Sequence, residues 1–336
     1  MSDVFKLLTL PSVAFRQIVG GIDPTDLFEL TQCSTKTMRC LQYEKVNKVF
    51  KIDIDFERRW VDIRGVHKYY VLEKKDGDIV EATKKFNGQE VPIAEAETKA
   101  FDTFWPRGQQ RRGTKMIAEN FIKTLGVGSL ELVAISTAEP AHEILNWVEK
   151  TKLTMENFDL NGAPADQVVS LAHRIFSTNF MANIKNSFVS LIEVPEDFKP
   201  SSWALDKVVS LRKFHAQSAH WLKAEHLRTL NVTAIILYQC TLSEDDIHDF
   251  LAAWKAGNYN ELTYLSLNMK LKFVDFEDEA NESLNFENII RDLADPATID
   301  NTVEGQQSVT FSRPTDGKTI EIDLDDGGRH FAAFIH

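Results

Sequence analysis

Strand-like runs alternate with amphipathic helical segments between residues 115 and 275, and this alternation constrains the fold more than any other feature. A helix between two strands returns the chain to the end of the sheet at which the first strand began, so the two strands run parallel. The clearest helix starts at the N-cap Ser243 and stops at Gly257. Its apolar residues recur with helical spacing, at Ile247, Phe250, Leu251 and Trp254.

The strand-like runs of this region are short and mostly apolar. They are Leu130–Ile135, Phe158–Leu160, Phe188–Ile192, Val208–Leu211, Ile235–Leu237 and Leu262–Leu267. Their centres lie about 20–32 residues apart, close to the period of about 20–29 residues found in leucine-rich repeats. The pattern predicts either an irregular leucine-rich-repeat-like α/β solenoid or an ordinary α/β domain with crossover helices. Neighbouring strands are parallel in both cases.

Two-residue alternation on both sides of this region predicts antiparallel β structure. Phe50, Ile52 and Ile54 alternate with charged residues, and residues 48–114 are therefore predicted as a small antiparallel sheet followed by a loop. Alternation returns after residue 306 around the turn formed by residues 314–317. Residues 306–336 are predicted as an antiparallel β ending.

Three short helices are predicted in residues 1–47. Pro11 suits the first turn of a helix, Asp23 is a suitable N-cap, and Pro24 fits the first position of a second helix. Ser34 can cap a third helix. About 40 residues rarely bury enough apolar surface to be stable alone, so this segment is expected either to dock a partner or to cap a larger domain.

Composition limits the classes of function. Apolar residues make up 43% of the sequence, which indicates a packed core, and its three cysteines form no CxxC pair. No apolar run approaches the ~20 residues of a membrane span, so an intracellular protein, cytoplasmic and/or nuclear, is expected. Residues 243–336 hold 20 acidic and 7 basic residues. The resulting negative charge argues against nucleic-acid and membrane partners.

Motifs of catalysis and cofactor binding are not found in the sequence. Gly317-Lys318-Thr319 lacks the first glycine of a phosphate-binding loop, and no Gly-x-Ser-x-Gly occurs. His215, His220 and His226 are five and six residues apart, which does not fit ligands on one helix face. We therefore expect no catalytic, cofactor or metal site and no enzyme activity, although a site assembled from distant residues stays an alternative.

The N-terminal helices resemble the F-box, a module that docks a Skp-type adaptor and so joins a cullin–RING ubiquitin ligase. Thr37 stands where many F-boxes carry tryptophan, and Gly20-Gly21 loosens the end of the first helix. The resemblance rests on the Leu-Pro entry, the Asp-Pro helix start and the apolar positions between them. It implies the adaptor-binding residues Leu10, Pro11, Ile18, Val19, Leu27, Leu30, Cys33 and Ser34.

The carboxyl half carries a second resemblance. Its motifs are Phe250-Leu251-x-x-Trp254, Gly257-Asn258, Leu262-x-Tyr264-Leu265 and Asp316-Gly317-Lys318. They resemble the F-box-associated domain of the large nematode-type F-box family. Together the two resemblances imply a substrate-recognition subunit of an SCF-type ligase, which binds a target protein through its carboxyl domain. The alternative is a protein-binding scaffold that recruits no ligase.

These interpretations predict an α+β or α/β protein with three parts. Residues 1–47 form the three-helix F-box, and residues 48–114 form the small antiparallel sheet and loop. Residues 115–336 form the F-box-associated receptor domain, which is repeat-like over 115–275 and ends in β structure at 306–336.

Overall fold

A computed structural model describes residues 7–33, 35–43, 50–125, 127–135, 140–201, 211–269, 284–295, 298–301, 306–325 and 327–336. The chain divides into two compact units. The first contains residues 1–139 and 147–157, and the second contains residues 140–146 and 158–336. The predicted domain boundaries after residues 47 and 114 both fall inside the first unit.

The first unit combines helices with a mixed sheet. Its helices are α1 (Ser12–Gly20), α2 (Pro24–Cys33), α3 (Thr35–Tyr43) and α4 (Gln110–Leu125). Its strands are β1 (Ile52–Asp55), β2 (Trp60–Ile63), β3 (His67–Glu73), β4 (Ala82–Phe86), β5 (Gln89–Glu97), β6 (Ala100–Trp105) and β7 (Ser129–Ile135). They are arranged in the order β7-β1-β2-β3-β6-β5-β4. Helix α5 (Ala141–Thr151) and strand β8 (Thr154–Leu160) contribute residues to both units.

Helix α2 begins where the sequence predicts it and is anchored on the sheet of the first unit. Asp23 Oδ1 accepts a hydrogen bond from Thr25 N at 2.8 Å, as an N-cap residue does. The Phe28 side chain is fully buried, with its ring 5.3 Å from His67 and 5.6 Å from Phe121 between ring centroids. The helix therefore contributes to the core of this unit and is not a separate module.

The second unit continues with helices α6 (Val168–Ser177), α7 (Ala224–Leu227), α8 (Glu244–Lys255) and α9 (Phe286–Ile290). Its strands are β9 (Ile184–Ser190), β10 (Lys213–Ala216), β11 (Ala234–Cys240), β12 (Tyr264–Met269), β13 (Asp300–Asn301), β14 (Gln307–Ser312), β15 (Thr319–Leu324) and β16 (His330–Ile335). They are arranged in the order β13-β14-β15-β16-β12-β11-β10-β9.

Strands β9 to β12 pair in parallel, as predicted for neighbouring strands of this region. Strands β12, β16, β15 and β14 pair antiparallel. One buried row of side chains crosses all of these strands in register: Phe188, Phe214, Ile235, Leu265, Ala333, Ile322 and Val309. This row forms the centre of the core of the second unit.

The predicted fold class is wrong, because the described part of each unit is a large mixed sheet with few helices, sixteen strands in all. The small antiparallel sheet is not separate: β1 pairs antiparallel with β2 and parallel with β7. The β ending is not separate from the α/β region either, since β12 pairs parallel with β11 and antiparallel with β16. The N-terminal helices lie on such a sheet and do not stand apart as a three-helix F-box. A leucine-rich-repeat-like solenoid is wrong as well, because its strands would all be parallel, whereas this sheet has both parallel and antiparallel pairs.

Two local predictions need comment. Residues 86–114 were expected to end the sheet in a loop, yet they hold β5, β6 and the start of α4. The strand predicted at 208–211 falls outside the described residues except for Leu211, and β10 starts at Lys213 instead. Within the described part of the chain, no helix is both long and apolar enough to cross a membrane.

Candidate functional site

A groove of about 340 Å³ lies on the N-terminal helices of the first unit. Leu8, Leu10 and Phe15 line it from the start of the chain, and Cys40 and Tyr43 line it from α3. Tyr43 is 84% exposed and Phe15 is 4% exposed, so the groove has a buried floor and an open rim. An apolar surface of this kind is suited to bind a side chain or helix of another protein.

Lys36 and Arg39 on α3 also line the groove, and both are exposed. Arg16 lies one turn beyond Ser12, another lining residue, and donates a hydrogen bond to its Oγ at 3.0 Å. The groove thus combines apolar side chains with positive charge at its edge. This arrangement favours a partner that presents an apolar group next to acidic residues.

The residues predicted to bind an adaptor separate into two groups. Leu10 and Leu30 are half-buried, Pro11 is exposed and Ile18 is 40% exposed, so these residues are accessible at least in part. Val19 and Leu27 are each only 1% exposed and belong to the protein's own core. Cys33 ends α2, and Ser34 lies outside the described residues. Of the predicted residues whose side chains the structure describes, only Leu10 lines the groove.

The groove residues on α3 were not predicted from the sequence. Lys36, Arg39, Cys40 and Tyr43 follow one another at i, i+3, i+4 and i+7, which is the spacing of one helix face. This spacing could have indicated a common helix face, but Lys36 and Arg39 are charged, so the face does not read as an apolar stripe.

The motifs of the carboxyl half meet around one arginine in the second unit. Arg313 is fully buried, and its guanidinium carbon lies 5.0 Å from the centre of a Trp254 ring. Its Nη1 donates a hydrogen bond to Asn258 O at 3.1 Å, and its Nε donates one to Asp316 Oδ1 at 2.8 Å. Trp254, Asn258 and Asp316 come from three of the four motifs. The cluster joins the end of α8 to the β14–β15 turn, which gives these residues a structural role.

The same cluster sets the charge state of Asp316. The guanidinium of Arg313 forms a two-bond ion pair with this carboxylate, and Lys318 N also donates to it at 3.2 Å. These interactions lower the pKa of Asp316 from 3.8 to about 2. The carboxylate therefore stays ionised, and the pair stays closed, at every physiological pH.

The three histidines considered from the sequence lie on separate elements. His215 is on β10 with its ring 5.5 Å from that of Tyr238. His220 and His226 line a cleft of about 510 Å³ beside Trp221. Burial lowers the pKa of His226, and its Nδ1 accepts a hydrogen bond from Lys223 N at 3.1 Å. Among the described residues, no group of His, Cys, Asp or Glu could hold a metal ion.

Comparison with known proteins finds a family match in the carboxyl region. Residues 206–267 match the model of a family described as F-box associated. The E3 ubiquitin-protein ligase hecw-1 of Caenorhabditis elegans is 27% identical to this chain over 97 residues. That alignment covers 26% of this chain and 8% of hecw-1, so the chain spans a small part of that relative's length. No solved structure matches.

The family match covers β10, β11, α8 and most of β12, and it includes the motif residues Phe250, Trp254 and Leu265. It supports the resemblance to F-box-associated proteins that the carboxyl motifs imply. It also supports a protein-binding role in the context of ubiquitin ligases. The F-box at the N-terminus and membership of the nematode-type family stay predictions.

Proposed function

We propose that this chain is the substrate-recognition subunit of an SCF-type cullin–RING ubiquitin ligase. The N-terminal groove docks a Skp-type adaptor, and the second unit binds the target protein. The observation that carries the proposal is the F-box-associated match at residues 206–267 in a chain whose N-terminal helices expose an apolar groove lined by Leu10.

The proposal assigns no catalytic step to the chain itself. A receptor of this kind holds its target close to the ubiquitin-charged enzyme and raises the effective concentration of the target's lysines there. No nucleophile, metal or cofactor of the receptor takes part. Its two surfaces only need to bind at the same time.

Adaptor capture by purified protein tests the docking step. The double variant Leu10→Ala/Pro11→Ala removes one lining side chain and the turn that positions it. Loss of a buried leucine contact is worth about 1.5–3 kcal/mol, so we expect affinity for the adaptor to fall roughly 10- to 100-fold. Thermal unfolding should move by no more than a few degrees, because Leu10 is half-buried and Pro11 is exposed.

Two controls separate docking from stability. Ile79→Ala removes an apolar side chain that is 77% exposed elsewhere in the first unit, and it should leave adaptor capture unchanged. Leu27→Ala should reduce capture only to the extent that it unfolds the unit, since Leu27 is buried. Capture of the double variant at wild-type affinity would refute docking through the groove. A wild-type chain that captures no adaptor would support the scaffold alternative.

A further inference from the structure

Among the described residues of the second unit, helices cover one face of the sheet and leave the other open. Helices lie on the covered face: Phe176 of α6 is 6.0 Å from Phe188 of β9, and Trp254 of α8 is 6.2 Å from Phe311 of β14, between ring centroids. The side chains on the opposite face are largely half-buried or exposed. No described helix of this unit has a ring contact with that face.

We define the open face by two rows of residues that lie in register across the strands. The first row is Ser187, Lys213, Ala234, Tyr264, Phe334, Glu321 and Thr310. The second row is Val189, His215, Ile236, Ser266, Ala332, Asp323 and Ser308. Parallel strands are usually covered on both faces, so an open face across β9 to β12 needs an explanation.

The middle of the open face is apolar. The rings of Tyr264 and Phe334 lie 5.1 Å apart, and Ile236 lies in the neighbouring row on β11. Phe334 is 37% exposed, so this aromatic pair is accessible to a partner. Aromatic side chains held in this way often dominate protein interfaces, because they lose little conformational entropy when they bind.

The two ends of the open face carry opposite charges. Lys213 lies on β10, and Lys185 lies on β9 two residues before Ser187, on the same side of the strand. Glu321 and Asp323 lie on β15. Four strand spacings of about 4.8 Å separate β10 from β15, so the two charged ends are about 19 Å apart.

We propose that the open face binds the target and that the target supplies an extended segment laid across the strands. The segment has an apolar centre over Tyr264 and Phe334, an acidic residue over Lys213, and a basic residue over Glu321 and Asp323. About six extended residues span the 19 Å between the charged ends. This inference rests on the proposed function, because it names the surface and the chemistry by which the second unit recognises its target.

Three labelled peptides of eight residues test this chemistry by fluorescence anisotropy at low salt. Each has a Leu-Phe centre, and its two ends are acidic and basic, both acidic, or both basic. We expect the mixed peptide to bind at least about threefold more tightly than the other two, which is the scale of exposed charge pairs. Lys213→Glu offsets the charge of Lys185 at the basic end, so the preference for the mixed peptide over the peptide with two basic ends should be lost.

The apolar centre is tested separately. Phe334→Ala should weaken the mixed peptide about tenfold, as expected for an aromatic anchor. Val169→Ala is a matched control, since Val169 is 42% exposed on α6, which lies against the covered face. Lys199→Glu is the control for charge, because Lys199 is exposed in the same unit but is not in either row. Neither control should change binding.

The outcomes are distinct from those of the proposed function. Adaptor capture by Phe334→Ala and Lys213→Glu should equal that of the wild type, because the adaptor groove lies in the first unit. If the chain shows the expected peptide preferences but captures no adaptor, target binding by the open face is supported and the proposed role as a ligase subunit is refuted. Equal binding of all three peptides, or binding that ignores both substitutions, would overturn the inference. A wild-type dimer that Phe334→Ala makes monomeric in sedimentation would also overturn it, by assigning the face to a second copy of the chain.

Discussion

Phe28→Ala tests whether the N-terminal helices belong to the core of the first unit. The Phe28 ring contacts His67 of β3 and Phe121 of α4, and Lys84 Nζ lies 5.2 Å from its centre. A helical module that only docks a partner would present such a side chain to that partner. The structure buries it completely inside the unit.

The expected loss follows from this burial. Truncation of a fully buried phenylalanine to alanine costs about 3–5 kcal/mol, because transfer free energy is lost and a cavity is left. The neighbouring side chains belong to a strand and to another helix, and these elements would have to move to close the cavity. For a unit of about 150 residues, each kcal/mol lowers Tm by about 2–4 °C, so we expect a fall of roughly 6–20 °C.

Thermal unfolding followed by circular dichroism measures this shift. Val13→Ala is the matched control, because Val13 lies on the neighbouring helix α1 and is 68% exposed. The control should change the free energy of unfolding by less than about 0.5 kcal/mol. If Phe28→Ala unfolds at the temperature of the control, the helices are not part of the core and the predicted detachable module is correct.

Two further substitutions probe packing and charge. Gly113→Ala places a Cβ 2.6 Å from the Trp105 ring. The overpacking should cost about 1–3 kcal/mol, which outweighs the gain of about 1 kcal/mol in helix propensity, so Tm should fall. Gly20→Ala is the control and should not lower Tm, because its Cβ would have nothing within 4 Å. Asp316 has a folded pKa of about 2, below its ordinary 3.8, so its ionised form stabilises the fold fully above about pH 4, and this contribution is lost as pH falls through 2. Asp316→Asn should lower Tm at pH 7, because it leaves the buried charge of Arg313 without its carboxylate, and should flatten the fall in Tm between pH 4 and pH 2.

Local signals predicted the helix starts well. Ser243 accepts a hydrogen bond from Asp246 N at 3.2 Å, and the Asp246 carboxylate accepts one from Ser243 N at 2.9 Å, which is a capping box. The helix is followed by Gly257 at φ +99°, a backbone conformation that favours glycine. These features are local, so propensity and capping rules are sufficient to find them.

The region 86–114 contains a local turn signal that the sequence prediction missed. Asn87 and Gly88 have φ of +46° and +85° and form a two-residue turn between β4 and β5. Asn-Gly is a strong hairpin signal, but weak periodicity and Pro92 obscured it. Pro92 is opposite Thr83 of β4, and pairing with β6 starts only at the next residue, Ile93. The proline therefore needs no hydrogen bond to β6.

The mixed pairing of the sheet could not be predicted from these signals. Strand β3 is followed in sequence by β4 but pairs in parallel with β6, and β12 pairs with β16 across about 60 intervening residues. Such contacts depend on tertiary packing rather than on any one segment. The same limit applies to the adaptor-binding set, since a short motif does not distinguish Leu10, which lines the groove, from Leu27, which lies in the core.

The alternation of apolar and polar residues in two of the strand sequences does indicate the open face. Strands of a sheet covered on both faces are near-continuous apolar runs, whereas strands with one covered face alternate. Lys213-Phe214-His215-Ala216 alternates fully, and Tyr264-Leu265-Ser266-Leu267 alternates with a polar serine at the open position. Lys213 and Tyr264 are both paired in register with Ala234 of β11, and His215 and Ser266 are both paired with Ile236. In β10 and β12 this alternation leaves one face that the described helices of the unit do not cover, and this is the face that we propose for the target.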